Sequence, residues 1–401
     1  MSQMNRRNLL TATAAAATLA KAGLGVREAA AATGINPNVV APRGKKEIFR
    51  RLPNLNLESY HDFLKGVRQW SNFYGLTVAC RERAVDVMKA AGIDPDHIGD
   101  VPMDKILQMA ANDPIITLYG RAWLDGQYYK FLTLRDAFHA DADIYLSEME
   151  ANDKVGPGSL ELNPTMHIPE YTKHEIHTQL GGYVGDPFAG YIYLYDTLIL
   201  NDGANEQDTG FLTIANASPV PKDGKVRRIH DLGTGVGQLA TSLKRRFPEA
   251  EVWGTDIGGP MVRYAHVRAN DNNWNVNFAQ RLAEDTKFPD NHFDIITSMQ
   301  MHHEVTAEAT KAIFKEIART LRPGGLYYPI DTRTSSATAK DFFGRFNGYL
   351  TYRWNHEDWW MEWESVDIKK ELTAVGLKVD ENGPSSGFSR NGRPNLVAYK
   401  V

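Results

Sequence analysis

Apolar positions recur every three to four residues through most of the stretch from Pro42 to about Leu200, a period that predicts helices. "SYHDFLKGVRQWSNFYGLTVACRERAVDVMKAAG" reads as one long amphipathic run stopping at Gly92, a residue that ends helices well. "MDKILQMAAN" and "PIITLYGRAWLDGQYYKFLTLRDAF" continue in the same style. "NDKVGPGSLELNPTMHIP" is a loop by its Gly, Pro and Asn content. "PEYTKHEIHTQLGG" suits a short helix, with Pro169 in its first turn and Gly181 past its end. Turn-rich segments flank "FLTIANA", and the domain change falls between Asn201 and Lys225.

Beyond Lys225 the pattern changes. "VRRIHDL", "EVWGTD", "VNFAQRL", "HFDIITSMQ" and "GLYYPID" are short strand candidates. "QLATSLKRRF", "PMVRYAHVRAND" and "AEATKAIFKEIARTL" are amphipathic helices that fall between them. Strands alternating with helices predict an α/β fold, and the right-handed crossover rule makes its mostly parallel sheet doubly wound. The tail adds the helix "DIKKELTAVG" and two strands, "LKVDENG" and "PNLVAYKV". Their link is too short for a parallel crossover, so the last strand is expected to run antiparallel. Four segments follow from this reading: residues 1–33, a mainly helical domain over 34–200, a linker over 201–224, and the α/β domain over 225–401.

Composition narrows the functional classes. With 42% hydrophobic residues, 23% charged residues and a net charge of −4, the chain lacks the basic footprint of a nucleic-acid binder. A single cysteine, Cys80, rules out an internal disulfide and a thiolate pair for zinc. The first 33 residues carry Arg6-Arg7, an alanine-rich mildly apolar run, Lys21, and small residues fit for cleavage near Ala30 to Ala32. That layout describes a secretory signal of the twin-arginine type, read by the twin-arginine export machinery. The run is too short and too weakly apolar for stable membrane insertion. Used, the signal places the protein in the periplasm or outside the cell; unused, in the cytoplasm.

The chemistry concentrates in "IHDLGTGVGQ". In an open α/β sheet, ligands bind beyond the carboxyl ends of the strands. Glycines at 233, 235 and 237 permit a sharp turn and close ligand approach, and the following helix aims its amides there. A dinucleotide fingerprint, G-x-G-x-x-G, would need glycine where Gln238 stands. Asp231, just ahead of the turn, suits a cationic amino group and would repel a pyrophosphate. Asp256 ends the next strand, where an acid can accept both ribose hydroxyls.

This combination resembles the class I S-adenosylmethionine-dependent methyltransferases, in particular their type-11 and ubiquinone/menaquinone C-methyltransferase-like groups. The resemblance covers about residues 225–401 and rests on four stretches in order: "IHDLGTGVGQ", "VWGTD", "LAEDTKFPDNHFDIITSMQMHHE" and "LRPGGLYYPID". It implies S-adenosylmethionine as methyl donor. Asp231 and the turn Gly233, Thr234, Gly235 and Gly237 would hold the methionine portion, and Asp256 the ribose. Ile257 would pack on the adenine, Ala283 and Glu284 would line its edge, and Met299 would lie beneath the cofactor. Leu282 departs from the family pattern, which often has an acidic or amide residue there.

Methyl transfer needs alignment and dryness, and a base where the acceptor must lose a proton. His302 and His303 follow the fourth strand and are the candidate bases; in extended backbone they would point opposite ways. The acceptor is a small organic molecule methylated on O, N or C. Tyr349, Tyr352, Trp354, Trp359, Trp360 and Trp363 could wall an apolar acceptor or pack the domains together. The glycines near Tyr183, Tyr191, Tyr193 and Tyr195 could form a lid over the site or belong to the core. In a helix from Pro169, Glu170, His174 and His177 would share a face, which suits a structural role, acceptor contact or, least of all, a metal. The rival function is an exported nucleoside-binding protein on the same fold that transfers no methyl group. Export and Leu282 motivate it, since S-adenosylmethionine is made in the cytoplasm.

Overall fold

A computed structural model describes residues 43–95, 97–99, 101–200, 207–331, 341–384 and 395–401; the proposed signal, residues 1–33, lies outside them. Residues 45–401 form one compact unit. It opens with a hairpin of β1 (Lys45–Lys46) and β2 (Phe49–Arg50), followed by α1 (Leu55–Asn72) and α2 (Gly75–Ala90). The amphipathic run is therefore two helices, not one. Thr77 Oγ donates to the Ser71 carbonyl at 2.5 Å, satisfying an orphan acceptor at the end of α1. Asn54 caps α1, its side chain accepting from the Leu57 N–H at 2.8 Å. Next come α3 (Met103–Ala111), α4 (Pro114–Ala140) and α5 (Ala142–Asn152). Asp113 caps α4 by accepting from the amides of Ile115 and Ile116 at 3.0 and 3.1 Å, with Pro114 in the first turn.

The segment expected to be a plain loop contributes a strand, β3 (Leu160–Glu161), which runs parallel to the later strand Asn277–Gln280. Gly158 allows it, because a Cβ there would collide with the Val276 backbone. The Asn277 side chain completes the join by accepting from Ser159 N–H and Oγ at 3.1 and 2.9 Å. Helices α6 (Gly182–Gly185), α7 (Ala189–Leu200) and α8 (Thr209–Ala217) lead into the α/β region. The expected helix over Pro169–Gly181 is absent; only residues Glu170–Thr172 make a helical turn. His177 and Thr178 adopt left-handed backbone, at φ 51° and 63°. The His177 amide is drawn out of any helix by the Asn355 carbonyl at 2.8 Å.

The α/β region runs β4 (Arg228–Leu232), α9 (Gln238–Arg246), β5 (Glu251–Asp256), α10 (Gly259–Asp271), β6 (Asn277–Gln280), β7 (Phe293–Met299), α11 (Ala307–Thr320) and β8 (Leu321–Ile330). It ends with α12 (Phe342–Trp354), α13 (Trp360–Ser365), α14 (Ile368–Ala374), β9 (Leu377–Asp380) and β10 (Val397–Lys400). The strand order is β3-β6-β5-β4-β7-β8-β10-β9. Strands β3 to β8 are parallel, and β10 is antiparallel to both β8 and β9. This is the doubly wound sheet with an antiparallel last strand that the sequence predicts. The chain enters at β4, builds outward to β6 and returns to β7, so the switch point lies between β4 and β7, where a ligand crevice opens.

Buried apolar side chains cover both sheet faces. Ile229, Val252, Phe278 and Ile295 meet α9 and α10 on one side; Leu232, Ile296, Phe314 and Leu372 fill the other. A further cluster joins Phe131, Phe138 and Tyr195 of the helical region to Val236 and Met261 beside the glycine turn. Among the described residues no helix is long and apolar enough to cross a membrane.

Arg268 of α10 is buried against the equally buried Asp208 at the start of α8, and Gln238 donates to the other Asp208 oxygen at 2.9 Å. Replacing one partner strands the other charge in a dry core. Asp208→Ala is expected to lower the unfolding free energy by about 3–5 kcal/mol in urea titrations; a loss below about 1 kcal/mol would show that the pair does not hold α8 to α10.

Candidate functional site

The crevice beyond β4 and β7 is a cavity with about 1180 Å³ of open space, part of it continuous with solvent. The three-glycine turn forms its floor. Gly235 faces the cavity at φ 54°, where a ligand can approach its bare Cα. Gly237 lies behind the turn at φ 74°; a Cβ there would stand 2.7 Å from the Phe278 ring. The turn is pinned by the Thr234 N–H donating to the Thr255 carbonyl at 2.9 Å.

Two carboxylates flank this floor. Asp231 is buried, accepting from Thr234 Oγ at 2.6 Å and Thr297 Oγ at 3.1 Å. Asp256 accepts from the amides of Gly235 and Gly258, both at 2.8 Å. Burial pushes Asp231 up to about 7 despite the Thr hydroxyls, and the nearby Asp256 charge adds to the rise. Burial likewise raises Asp256 to about 6, opposed by its backbone amides. An acid harder to ionise in the fold than in the unfolded chain weakens the fold as pH rises from about 4 through these values. A ligand presenting an ammonium and hydroxyls here would stabilise the ionised forms and relieve that cost.

All the expected cofactor residues except Gly237 line the cavity: Asp231, Gly233, Thr234, Gly235, Asp256, Ile257, Ala283, Glu284 and Met299. Glu284 accepts a hydrogen bond from Tyr171 Oη. Leu282 forms an isolated bridge with Asp285.

The two histidines are placed differently from the expectation of extended backbone. Residues His302–Glu304 form a tight helical turn, and both rings are buried without lining the cavity. His302 Nε2 is 2.7 Å from Tyr327 Oη, and its ring stacks on Trp363 at 5.0 Å. His303 Nδ1 lies 2.6 Å from Asp331. Burial opposes a charge on His303, yet the Asp331 carboxylate prevails and holds the imidazole up at about 10. The group this turn presents to the cavity is Glu304.

None of the six aromatic residues between Tyr349 and Trp363 singled out above lines the cavity. Trp359 instead supports its wall, donating to the Tyr171 carbonyl at 3.0 Å. The wall itself comes from the irregular segment 171–184 and α7, through Tyr171, His174, Ile176, Tyr183 and Tyr193. Tyr183 and Tyr193 meet edge to face at 5.5 Å. Glu170, His174 and His177 share no helix face: Glu170 is exposed beside Lys173, His174 lines the cavity, and His177 meets Glu304 at 3.3 Å. Glu304 and the support of His177 were missed because they depend on contacts 127 and 178 residues away. A lone acid ending "SMQMHHE" was the one available signal.

Fold and crevice define a doubly wound ligand-binding domain. Residues 229–325 match the family model described as a methyltransferase domain. The chain is similar to a demethylmenaquinone methyltransferase of Thermus thermophilus, 40% identical over 99 residues, covering 25% of this chain and 44% of that protein. It is 31% identical over 152 residues to a ubiquinone/menaquinone biosynthesis C-methyltransferase of Cupriavidus pinatubonensis, covering 37% and 59%. A fatty-acid O-methyltransferase of Mycolicibacterium smegmatis is 28% identical over 122 residues, covering 30% and 43%. The chain thus spans about half the length of these relatives.

To S-adenosylmethionine, the donor expected from the sequence, the crevice would offer a buried acid beside an ammonium, an anchored acid beside ribose hydroxyls and an apolar edge at Ile257 and Ala283. Binding should expel protons below about pH 7, because the ligand favours both ionised acids. Calorimetry with S-adenosylhomocysteine is expected to show proton release at about pH 6 and an affinity that falls as pH drops from about 7.5 to about 5.5. An affinity constant over that range would mean that neither acid meets the ligand.

Proposed function

We propose that this protein is an S-adenosylmethionine-dependent methyltransferase acting on a small organic acceptor. The observation that carries the reading is the placement of Asp231 and Asp256 on either side of the glycine turn, inside one cavity that continues to a second wall at residues 171–184. In this reading Asp231, with Gly233, Thr234 and Gly235, holds the amino-acid end, and Gly237 shapes the turn from behind. Asp256 holds the ribose, Ile257, Ala283 and Glu284 frame the base, and Met299 supports the ligand from below. The bound donor supplies an electrophilic methyl group on a sulfonium.

The chain's own part is alignment and dryness. Segment 171–184 closes over the crevice with aromatic and aliphatic side chains. The faces of Tyr183 and Tyr193 suit a sulfonium cation. His302 and His303 act on the acceptor indirectly in this reading. Tyr327 and Asp331 hold them in the turn that sets Glu304 at the cavity. The names of the relatives, quinone and fatty-acid methyltransferases, support an acceptor with an apolar body.

Residues 1–33 support export by the twin-arginine machinery, which carries folded cargo. The protein would then leave the cytoplasm with nucleoside already seated. Native mass spectrometry of the purified protein is expected to show S-adenosylmethionine or its demethylated product. Asp256→Ala is expected to weaken S-adenosylhomocysteine at least tenfold, since charge-assisted hydrogen bonds are worth roughly 1.5–3 kcal/mol. Unchanged affinity in the folded variant would sink the assignment. Tight nucleoside binding with no transfer to any acceptor would favour the exported binding protein.

A further inference from the structure

A hydrogen-bond chain with a fixed direction ends on the cavity wall. It starts at Arg68, whose guanidinium can only donate. Arg68 Nη1 donates to Gln127 Oε1 at 3.0 Å. The Gln127 amide nitrogen is thereby turned the other way and donates to Asn355 Oδ1 at 2.7 Å. Asn355 Nδ2 must then donate, and it faces His177 Nδ1 at 2.7 Å and Glu357 Oε1 at 2.8 Å. His177 Nδ1 accepts, so its proton sits on Nε2, 3.3 Å from Glu304 Oε1. The sense of every bond follows from the first donor.

Glu304 lines the cavity, and among the described residues its Oε2 makes no hydrogen bond. Two further polar atoms in the same wall, Tyr183 Oη and His174 Nε2, are buried with no hydrogen-bond partner. An oriented carboxylate beside a buried hydroxyl and a buried imidazole nitrogen awaits a polar group from a ligand.

The field at this end is negative on balance: the His303 cation is paired with Asp331 at 2.6 Å and stands 3.8 Å from both Glu304 and Glu357. Burial raises Asp256, Tyr183 and Tyr193, and the Glu304 charge raises all three further. Arg281, the guanidinium among the lining residues, is occupied by the Thr286 carbonyl and Glu161. Such a wall repels a carboxylate or phosphate on the acceptor. It favours positive charge arriving at the acceptor atom.

We propose that the methyl acceptor is an amine with an apolar body and that Glu304 binds its N–H and takes its proton. The proposal rests on the methyl-transfer reading above and specifies its substrate class. The amine arrives as an ammonium and gives one N–H proton to Glu304 Oε2; the freed lone pair then forms the new N–CH3 bond while the S–CH3 pair stays on sulfur. The positive charge thus moves from sulfur to nitrogen, toward Glu304. The product leaves as the N-methylammonium, and Glu304 Oε2 returns its proton to solvent. His177 Nε2–H holds the other oxygen throughout.

The test uses the full chain saturated with S-adenosylhomocysteine and three probes of one shape: 2-phenylethylamine, 2-phenylethanol and 3-phenylpropanoate. Calorimetry is expected to show the amine binding at least about tenfold tighter than the alcohol, a difference of about 1.4 kcal/mol, with the acid not binding. In Glu304→Gln, which keeps the side-chain shape, the amine preference should fall to near unity at saturating S-adenosylhomocysteine, whose own affinity should hold or rise because the Glu304 charge no longer opposes ionisation of Asp256. With S-adenosylmethionine, mass spectrometry should find N-methyl-2-phenylethylamine from the native protein and at least about tenfold less from the variant. Equal binding of amine and alcohol, no amine binding by the loaded protein, or a preference that survives Glu304→Gln would overturn the proposal. Failure of the native protein to bind S-adenosylhomocysteine would instead sink the methyl-transfer reading, which separates the two.

Discussion

The Asp256 carboxylate ties two turns of the sheet together, and the site exists because it does. One oxygen takes the Gly235 amide from the turn after β4; the other takes the Gly258 amide at the head of α10. Both turns are thereby drawn to the same point at the carboxyl edge of the sheet. The arrangement concentrates negative charge in a place with little water, and the raised values of Asp256 and Asp231 express that tension. A crevice under such tension is selective, because only a ligand carrying positive charge and donors relieves it.

The helical region is part of the same construction. Its core includes Val236 and Met261, which belong to the glycine turn and the start of α10. Its polar interior leads the other way, with Lys130 buried against Asp196 and Arg68 directing amides toward His177. Apolar packing thus holds the floor of the cavity, and oriented hydrogen bonds hold its roof. The division is physically reasonable, since burial is non-directional and hydrogen bonds fix angle as well as place.

The α/β half was legible in the sequence because its signals are local. Alternating strands and amphipathic helices gave β4 to β7 to within two residues at each end, while β8 begins at Leu321, four residues before its expected start, and the Gly-rich link gave the antiparallel β10. The glycine turn and its acids lie within 26 residues of one another, so their grouping was readable too. The roof was not. Propensity favoured a helix over Pro169–Gly181, but Asn355 captures the His177 amide from 178 residues away. The strand at Leu160–Glu161 is two residues long and depends on Asn277 for support, so its own composition marks it as loop. For the aromatic cluster after Tyr349 the sequence leaves walling the cavity and packing the domains both open; the structure places its rings behind the wall, against His302, His303 and Tyr171.

The wide sequence separation of the roof's supports governs the order in which the molecule can be assembled. Translation delivers His177 long before Asn355, and contacts between distant segments form late because their loops are costly to close. The nascent chain can complete the crevice floor while its cover still lacks an anchor.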